Sequence, residues 1–211
     1  MRTDDLIEAL AADNPPQRAS VGRGLMLAAF GGGIIAAAGM QVAMGVRPDI
    51  AAALETWRFD VKLAIVWLAV AMSLLVVWRL ASPLSRLASA KPILLVPAAM
   101  VLAVAVELSS VPASAWGTRL VGSNALICLT AIPVLALAPL AATLYALRAG
   151  APASPGTAGA FAGLFASMMA AAFYGLHCAD DSPLFVATWY LLASLIVATL
   201  GAVLGRRFLK W

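Results

Sequence analysis

Six long apolar stretches constrain the fold of this chain more than any other feature of its sequence. A helix of about 20 apolar residues crosses a hydrocarbon layer of about 30 Å, and lipid offers the backbone no hydrogen-bond partner. The composition agrees, because 63% of the residues are hydrophobic and 11% are charged. The sequence therefore predicts an all-α integral membrane protein, a six-helix transmembrane bundle. The predicted spans are Leu25 to Val46, Val61 to Leu80, Pro92 to Leu108, Asn124 to Leu147, Ala158 to Leu176 and Pro183 to Leu204.

The basic residues predict how this bundle is oriented, since Lys and Arg are retained on the cytoplasmic side of short loops. With the N-terminus inside, the outer face keeps Arg47, Arg58, Lys62 and Arg119. Acidic residues in the first outer loop make that loop locally neutral. Both termini are therefore expected in the cytoplasm, and the net charge of +4 indicates affinity for the lipid bilayer without direct nucleic-acid binding. The cytoplasmic face receives Arg2, Arg18, Arg23, Arg79, Arg86, Lys91, Arg148, Arg206, Arg207 and Lys210.

The chain divides into three segments on this basis. Residues 1–24 form a cytoplasmic N-terminal segment, residues 25–204 form the transmembrane domain, and residues 205–211 form a basic cytoplasmic tail. The N-terminal segment is predicted to contain a short helix, with Thr3 as N-cap, that stops before Pro15-Pro16.

This short helix is acidic and amphipathic. Asp4 and Asp5 lie in its first turn, where the helix dipole favours negative charge, and Leu6, Ile7 and Leu10 share one face. So short a helix is marginal alone in water, and it gains stability by docking in a partner's apolar groove. The alternative is a solvated tail that keeps the terminus inside.

A polar loop, His177-Cys178-Ala179-Asp180-Asp181-Ser182-Pro183, concentrates the rare chemistry of the sequence. It holds the single histidine and one of two cysteines. The other, Cys128, lies about 6 Å into the fourth span from the same outer boundary. A disulfide between the thiols is permitted in an oxidising compartment, as is a soft-metal site formed by Cys128, Cys178 and His177. Asp180 or Asp181 is a further ligand or a support for the imidazole. No cofactor is required; transient zinc or heavy-metal binding is the alternative, and Cys128 alone also fits a packing residue.

Glu107 is the remaining ionisable residue close to the hydrocarbon. It lies at the outer end of the third span, where full burial would be expensive. We expect its side chain to reach the outer interface; a role in a proton relay or ion pathway is the alternative.

Several short motifs, in order along the chain, resemble the NrsF-type membrane anti-sigma factors of bacteria. The most specific is the His-Cys-x-x-Asp-Ser-Pro block at residues 177–183, and the similar stretch continues through Leu184-Phe185 to Trp189-Tyr190. The others are Thr3-Asp4-Asp5-Leu6-Ile7, Trp78-Arg79-Leu80, Pro83-Leu84, Cys128 and Gly205-Arg206-Arg207-Phe208-Leu209-Lys210-Trp211.

Family membership implies an inner-membrane protein of six spans that binds and restrains an extracytoplasmic-function sigma factor. The two cysteines would correspond to the pair associated with stress or heavy-metal response. The chain departs from the family pattern at Ala179-Asp180, where Pro-Glu often stands, which puts a ligand role for Asp180 in doubt.

The sequence thus leads to a hypothesis of regulated sequestration. Asp4, Asp5, Leu6, Ile7 and Leu10 would contact the sigma factor in the cytoplasm. Outside, a metal or oxidant would be sensed through Cys128, Cys178, His177 and Asp181. The competing hypothesis is a small multi-span transporter or exporter, which predicts a polar path through the membrane. An enzyme is not indicated, because no serine, base and orienting residue are spaced as a catalytic set.

Overall fold

The computed structural model describes residues 3–12, 19–82 and 87–209. All regular secondary structure in these ranges is helical, as predicted. Arg2, Arg18, Arg86 and Lys210 of the predicted cytoplasmic face lie outside them, as do Pro15-Pro16, Pro83-Leu84 and Trp211.

The predicted N-terminal helix is present, and six longer helical segments follow it. The α-helices are α1 (Thr3–Ala12), α2 (Ala19–Ala43), α3 (Ile50–Ala53), α4 (Trp57–Leu80), α5 (Leu95–Ser110), α6 (Trp116–Val121), α7 (Ala125–Leu147), α8 (Pro155–Tyr174), α9 (Pro183–Phe185) and α10 (Leu191–Phe208). A 3₁₀ helix, Leu87–Leu94, precedes α5, and a shorter one, Ala113–Ala115, precedes α6. A π-helical turn, Val186–Tyr190, joins α9 to α10.

Six of these segments in the described ranges are long and apolar enough to cross a membrane, which confirms the predicted bundle. We number them span 1 (α2), span 2 (α4), span 3 (the first 3₁₀ helix with α5), span 4 (α7), span 5 (α8) and span 6 (α9 to α10). The helices of spans 1 and 2 begin earlier than predicted, at Ala19 and Trp57. In span 2, polar residues such as Arg58 and Asp60 continue the helix beyond the apolar stretch.

Span 5 lies at the centre of the bundle and span 3 at its edge. Span 5 packs against spans 1, 2, 4 and 6. Within its most apolar stretch 61% is buried, compared with 11% for span 3. Its contact with span 6 is made by glycines, since Gly159 and Gly163 face the backbone of Gly201 and Val197. Small residues let two membrane helices approach closely, and here they fix the position of the central helix.

The loops separate into two ends. Loops 44–56, 111–124 and 175–182 meet at one end, which we call the polar end. At the opposite end the Ala151 amide donates to the Ala81 carbonyl at 3.3 Å. The polar end brings together loop 175–182, which we call the His-Cys loop, with loop 44–56 and Glu107, so it contains the residues predicted from the sequence to sense a signal.

Candidate functional site

Asp181 lies between two buried cations at the polar end. Its Oδ2 accepts a hydrogen bond from Arg47 at 2.8 Å, and its Oδ1 accepts one from the Lys62 ammonium. Arg47 also forms a bidentate pair with Asp49, at 2.7 Å for both contacts. These contacts join the loop between spans 5 and 6 to the start of span 2 and to the loop before it.

The same cations hold the backbone of the His-Cys loop. The carbonyl of Cys178 accepts from Lys62 Nζ at 2.9 Å and from Arg47 at 3.3 Å. Phe59, which is fully buried, lies beneath both, with its ring centroid 4.9 Å from Lys62 Nζ and 5.8 Å from the Arg47 guanidinium carbon. A buried cation is tolerated only when its donors are satisfied, and this arrangement satisfies them at the loop.

Charge pairing also shifts the pKa values of Arg47 and Asp49. The hydrogen bond from Arg47 lowers the pKa of Asp49 to about 2. The hydrogen bond to Asp49 correspondingly raises the pKa of Arg47 above its ordinary value. Arg47 therefore stays charged at neutral pH.

Asp180 anchors the loop to span 4 by capping the N-terminus of its helix. Its carboxylate accepts from the backbone amides of Ser123 and Asn124, at 3.0 and 2.8 Å, and from the Asn124 side-chain amide at 2.8 Å. A carboxylate at a helix N-terminus is favoured by the unpaired amides and by the helix dipole. Asp180 is thereby occupied as a cap, and the hydrogen bonds position the loop over Cys128.

The two thiols come together beneath this loop. Cys128 and Cys178 are both fully buried and not disulfide-bonded. Cys128 Sγ lies 3.3 Å from the hydroxyl of Tyr174, and Cys178 Sγ lies 3.9 Å from the Asp180 carbonyl oxygen. A hydrogen bond from the Cys128 thiol, helped by the charge of Lys62, lowers the pKa of Cys178 to about 7. The pair is thus chemically distinct from two ordinary packing cysteines.

His177 is not brought to the sulfurs as a third ligand. Its Nδ1 lies 3.0 Å from the carbonyl of Gly45, which can only accept, so Nδ1 carries the proton. Gly45 has φ +73°, a left-handed conformation that glycine tolerates, and this turn directs its carbonyl to the ring. Among the described residues, no three His, Cys, Asp or Glu side chains are grouped to hold a metal ion. The metal set of Cys128, Cys178 and His177 is therefore not assembled in this arrangement.

The sequence analysis expected the Glu107 side chain to reach the outer interface, and this expectation is wrong. It is fully buried and accepts from Arg58 at 2.8 Å and from Arg119 at 2.9 Å. Ser182 lies 3.3 Å from the same carboxylate. Burial is tolerated because two arginines compensate the charge. In the described part of the chain, the buried charged side chains are Arg47, Lys62 and Glu107, all at the polar end.

The predicted partner-binding residues lie in α1. Asp4 and Asp5 occupy its first turn, and Leu6 and Ile7 are 42% and 61% exposed. Leu10 lies in the same helix. The apolar residues of α1 whose side chains are described are thus accessible to a partner.

The sequence interpretation missed the pairing role of Arg47, Arg58, Lys62 and Arg119. It treated them as charges that orient the bundle and that balance within one loop. A signal was present: four cations were assigned to the same face as Glu107, Asp180 and Asp181. Because buried charges require partners, this set of residues could have predicted ion pairs between the loops of that face.

The fold and the polar end together define a class: a six-span helical membrane protein in which the loops of one end are joined by buried ion pairs over a thiol pair. A family model described as "Negative regulator of sigma F" matches residues 10–211. The anti-sigma-F factor NrsF of Caulobacter vibrioides is 35% identical over 220 residues, and the probable anti-sigma-F factor NrsF of Azospira oryzae is 33% identical over 213. Both alignments cover 100% of each chain. The chain therefore belongs to the NrsF family, as the sequence motifs indicated. No solved structure matches it.

Proposed function

We propose that this protein is an anti-sigma factor that holds an extracytoplasmic-function sigma factor at the bacterial inner membrane. The observation that carries the proposal is the full-length similarity to two relatives named as anti-sigma-F factors. The helix α1 supplies a suitable contact, with exposed Leu6 and Ile7 beside Asp4 and Asp5. The apolar pair would enter a groove on the sigma factor, and the acids would meet basic residues at its rim.

The distribution of charge supports cytoplasmic termini. At the polar end, Arg47, Arg58, Lys62 and Arg119 each contact a carboxylate. The remaining basic residues of the described spans lie in or directly after the opposite ends of the helices, which gives that end the excess of Lys and Arg expected of a cytoplasmic face. They are Arg23, Arg79, Lys91, Arg148, Arg206 and Arg207.

A pull-down tests the role of α1. The full chain in detergent, with Leu6→Glu/Ile7→Glu, should lose the sigma factor that the unaltered chain retains. The matched control, Ala9→Glu/Ala12→Glu, adds the same charge to the other side of the helix and should retain it. Undiminished capture by Leu6→Glu/Ile7→Glu would remove α1 from the contact.

The regulatory part of the proposal assigns signal input to Cys128 and Cys178. A peroxide would oxidise the two thiols to a disulfide and be reduced to water; a soft metal ion would instead displace the thiol protons. Both sulfurs are buried, so the signal must react in a more open arrangement of loop 175–182. Signal capture then shifts the population toward that arrangement, because the signal binds it preferentially.

A transcription assay tests this input. Sigma-dependent expression should rise with metal or oxidant stress in cells carrying the unaltered chain, and the rise should be absent with Cys128→Ser/Cys178→Ser. An unaltered response in the double variant would remove the cysteines from the mechanism. The transporter alternative predicts flux in proteoliposomes that depends on Glu107, yet Glu107 contacts two arginines at the polar end.

A further inference from the structure

An apolar cavity of about 380 Å³ lies between span 3 on one side and spans 2, 5 and 6 on the other. The described residues that line it are apolar apart from the hydroxyl of Tyr190. A water molecule in a cavity needs about two to four polar partners, which this lining does not offer. The cavity therefore favours an apolar occupant. Its walls include Ile65 of span 2, Pro97 and Val101 of span 3, Met168 of span 5, and Ala187 and Tyr190 of span 6.

The cavity lies beside the part of span 3 that is least anchored. In the half of the span nearer the polar end, Ala103 and Glu107 are buried, and Glu107 pairs with Arg58 and Arg119. The preceding residues that face the bundle, between positions 93 and 101, line the cavity. A gap in a close-packed interior forfeits the dispersion contacts that an occupant would supply. Span 3 is therefore completely packed only when an apolar group fills the cavity.

The cavity opens sideways, between spans 3 and 6. Val101 and Leu191 line it and are 69% and 51% exposed. Pro97, about one helical turn before Val101, is exposed as well. All three residues belong to membrane-spanning segments, so the opening faces the hydrocarbon of the bilayer. The molecules that can reach it from that side are lipids and the helices of other proteins.

The size of the cavity decides between these two occupants. A single helical turn, about 10 Å across and 5.4 Å long, already fills about 420 Å³. A helix of a second copy is therefore too wide to enter, whereas an acyl chain is one methylene group wide. Two small residues in the walls, Ala69 of span 2 and Ala187 of span 6, leave room for such a chain.

We propose that the cavity binds one acyl chain of a phospholipid, which enters between spans 3 and 6 and packs span 3 against the rest of the bundle. The π-helical turn Val186–Tyr190 supplies Val186, Ala187 and Tyr190 to the wall. Such turns are frequent at functional sites. The site uses neither α1 nor the two thiols, so it goes beyond the proposed function and does not depend on it.

Photolabelling of the full chain in phosphatidylcholine vesicles tests the site. Part of the lipid carries a diazirine in one acyl chain, and mass spectrometry after illumination and proteolysis locates the labelled residues. Leu164 and Met168 belong to the central helix, and they should be labelled because the chain reaches them through the cavity. Ala187→Phe fills the cavity and should lose that labelling. Labelling of Phe30 in span 1, which is 72% exposed, should be unchanged.

Two further variants control for added bulk and for folding. Ala98→Phe adds the same ring at an exposed position of span 3 outside the cavity lining, and it should be labelled like the unaltered chain. If Ala187→Phe does not fold, Ala69→Leu fills the cavity from span 2 with a smaller side chain and should reduce the labelling of span 5.

The proposal is overturned if Phe30 is labelled but Leu164 and Met168 are not, which is also the result expected if a second copy covers the opening. It is overturned equally if the cavity-filling variants are labelled in span 5 as strongly as the unaltered chain. A free fatty acid with the same diazirine forms a separate arm of the experiment. Labelling of Leu164 and Met168 by the fatty acid but not by the phospholipid would overturn the assignment to a phospholipid chain.

Discussion

Removing both arginines that contact Glu107 should destabilise the protein, because a fully buried carboxylate would lose its cations. In the unaltered chain, Arg58 and Arg119 each contact one oxygen of Glu107, and Ser182 lies 3.3 Å away. Arg58 and Arg119 are 28% and 36% exposed, so water can solvate either guanidinium without the carboxylate. The cost of an unpaired buried charge therefore falls on the Glu107 carboxylate. In Arg58→Met/Arg119→Met, the Ser182 hydroxyl is the hydrogen-bond partner that remains.

Breaking a buried ion pair by removing one side costs about 3–5 kcal/mol of unfolding free energy, and we expect a loss of that size from the double arginine variant. Adding Glu107→Leu removes the stranded charge, and that triple variant should return to within about 1 kcal/mol of the unaltered chain, the cost of one lost hydrogen bond.

Unfolding of the full chain by added SDS in mixed micelles, followed by far-ultraviolet circular dichroism, measures these differences. Equal stability of the double variant and the unaltered chain at pH 7 would refute the buried pairing, as would a triple variant no more stable than the double one.

Two further changes probe the anchoring of the loop and of the central helix. Asp180→Ala removes the cap of span 4 and should lower the free energy of unfolding by about 1–2 kcal/mol in the same assay. Asp180→Asn keeps a hydrogen-bond acceptor and should lower it by less. Equal losses of stability in the two variants would contradict the capping role. Gly163→Ala places a Cβ 2.8 Å from Ala198 Cα and should destabilise the protein by about 1–3 kcal/mol. The control is Gly31→Ala, whose Cβ would have nothing within 4 Å and which should be neutral or stabilising. A tolerated Gly163→Ala would contradict the close packing of spans 5 and 6.

The spans could be predicted from the sequence because bilayer thickness sets a length that an apolar stretch either reaches or does not. The helix α1 could be predicted for a similar reason, since the spacing of Leu6, Ile7 and Leu10 is a local property. Neither prediction requires knowledge of which helices are neighbours.

The fate of Glu107 could not be predicted in this way, and the expectation that it reaches the interface was wrong. Its partners Arg58 and Arg119 are 49 and 12 residues distant in the chain, and their arrival depends on how spans 2 and 3 pack. The same holds for the thiols. Sequence placed Cys128 and Cys178 on one side of the membrane, but their closeness depends on Asp180 capping span 4 and on the packing of span 5.

Cell fractionation tests the central claim most directly. Three strains of the native host would be compared: one with the unaltered chain, one with Leu6→Glu/Ile7→Glu and one without the chain. In each strain, mass spectrometry would quantify the sigma factors in the membrane and soluble fractions. A sigma factor that sediments with the inner membrane only when the unaltered chain is present is the predicted result. The same membrane and soluble distribution of every sigma factor in all three strains would contradict sequestration at the membrane.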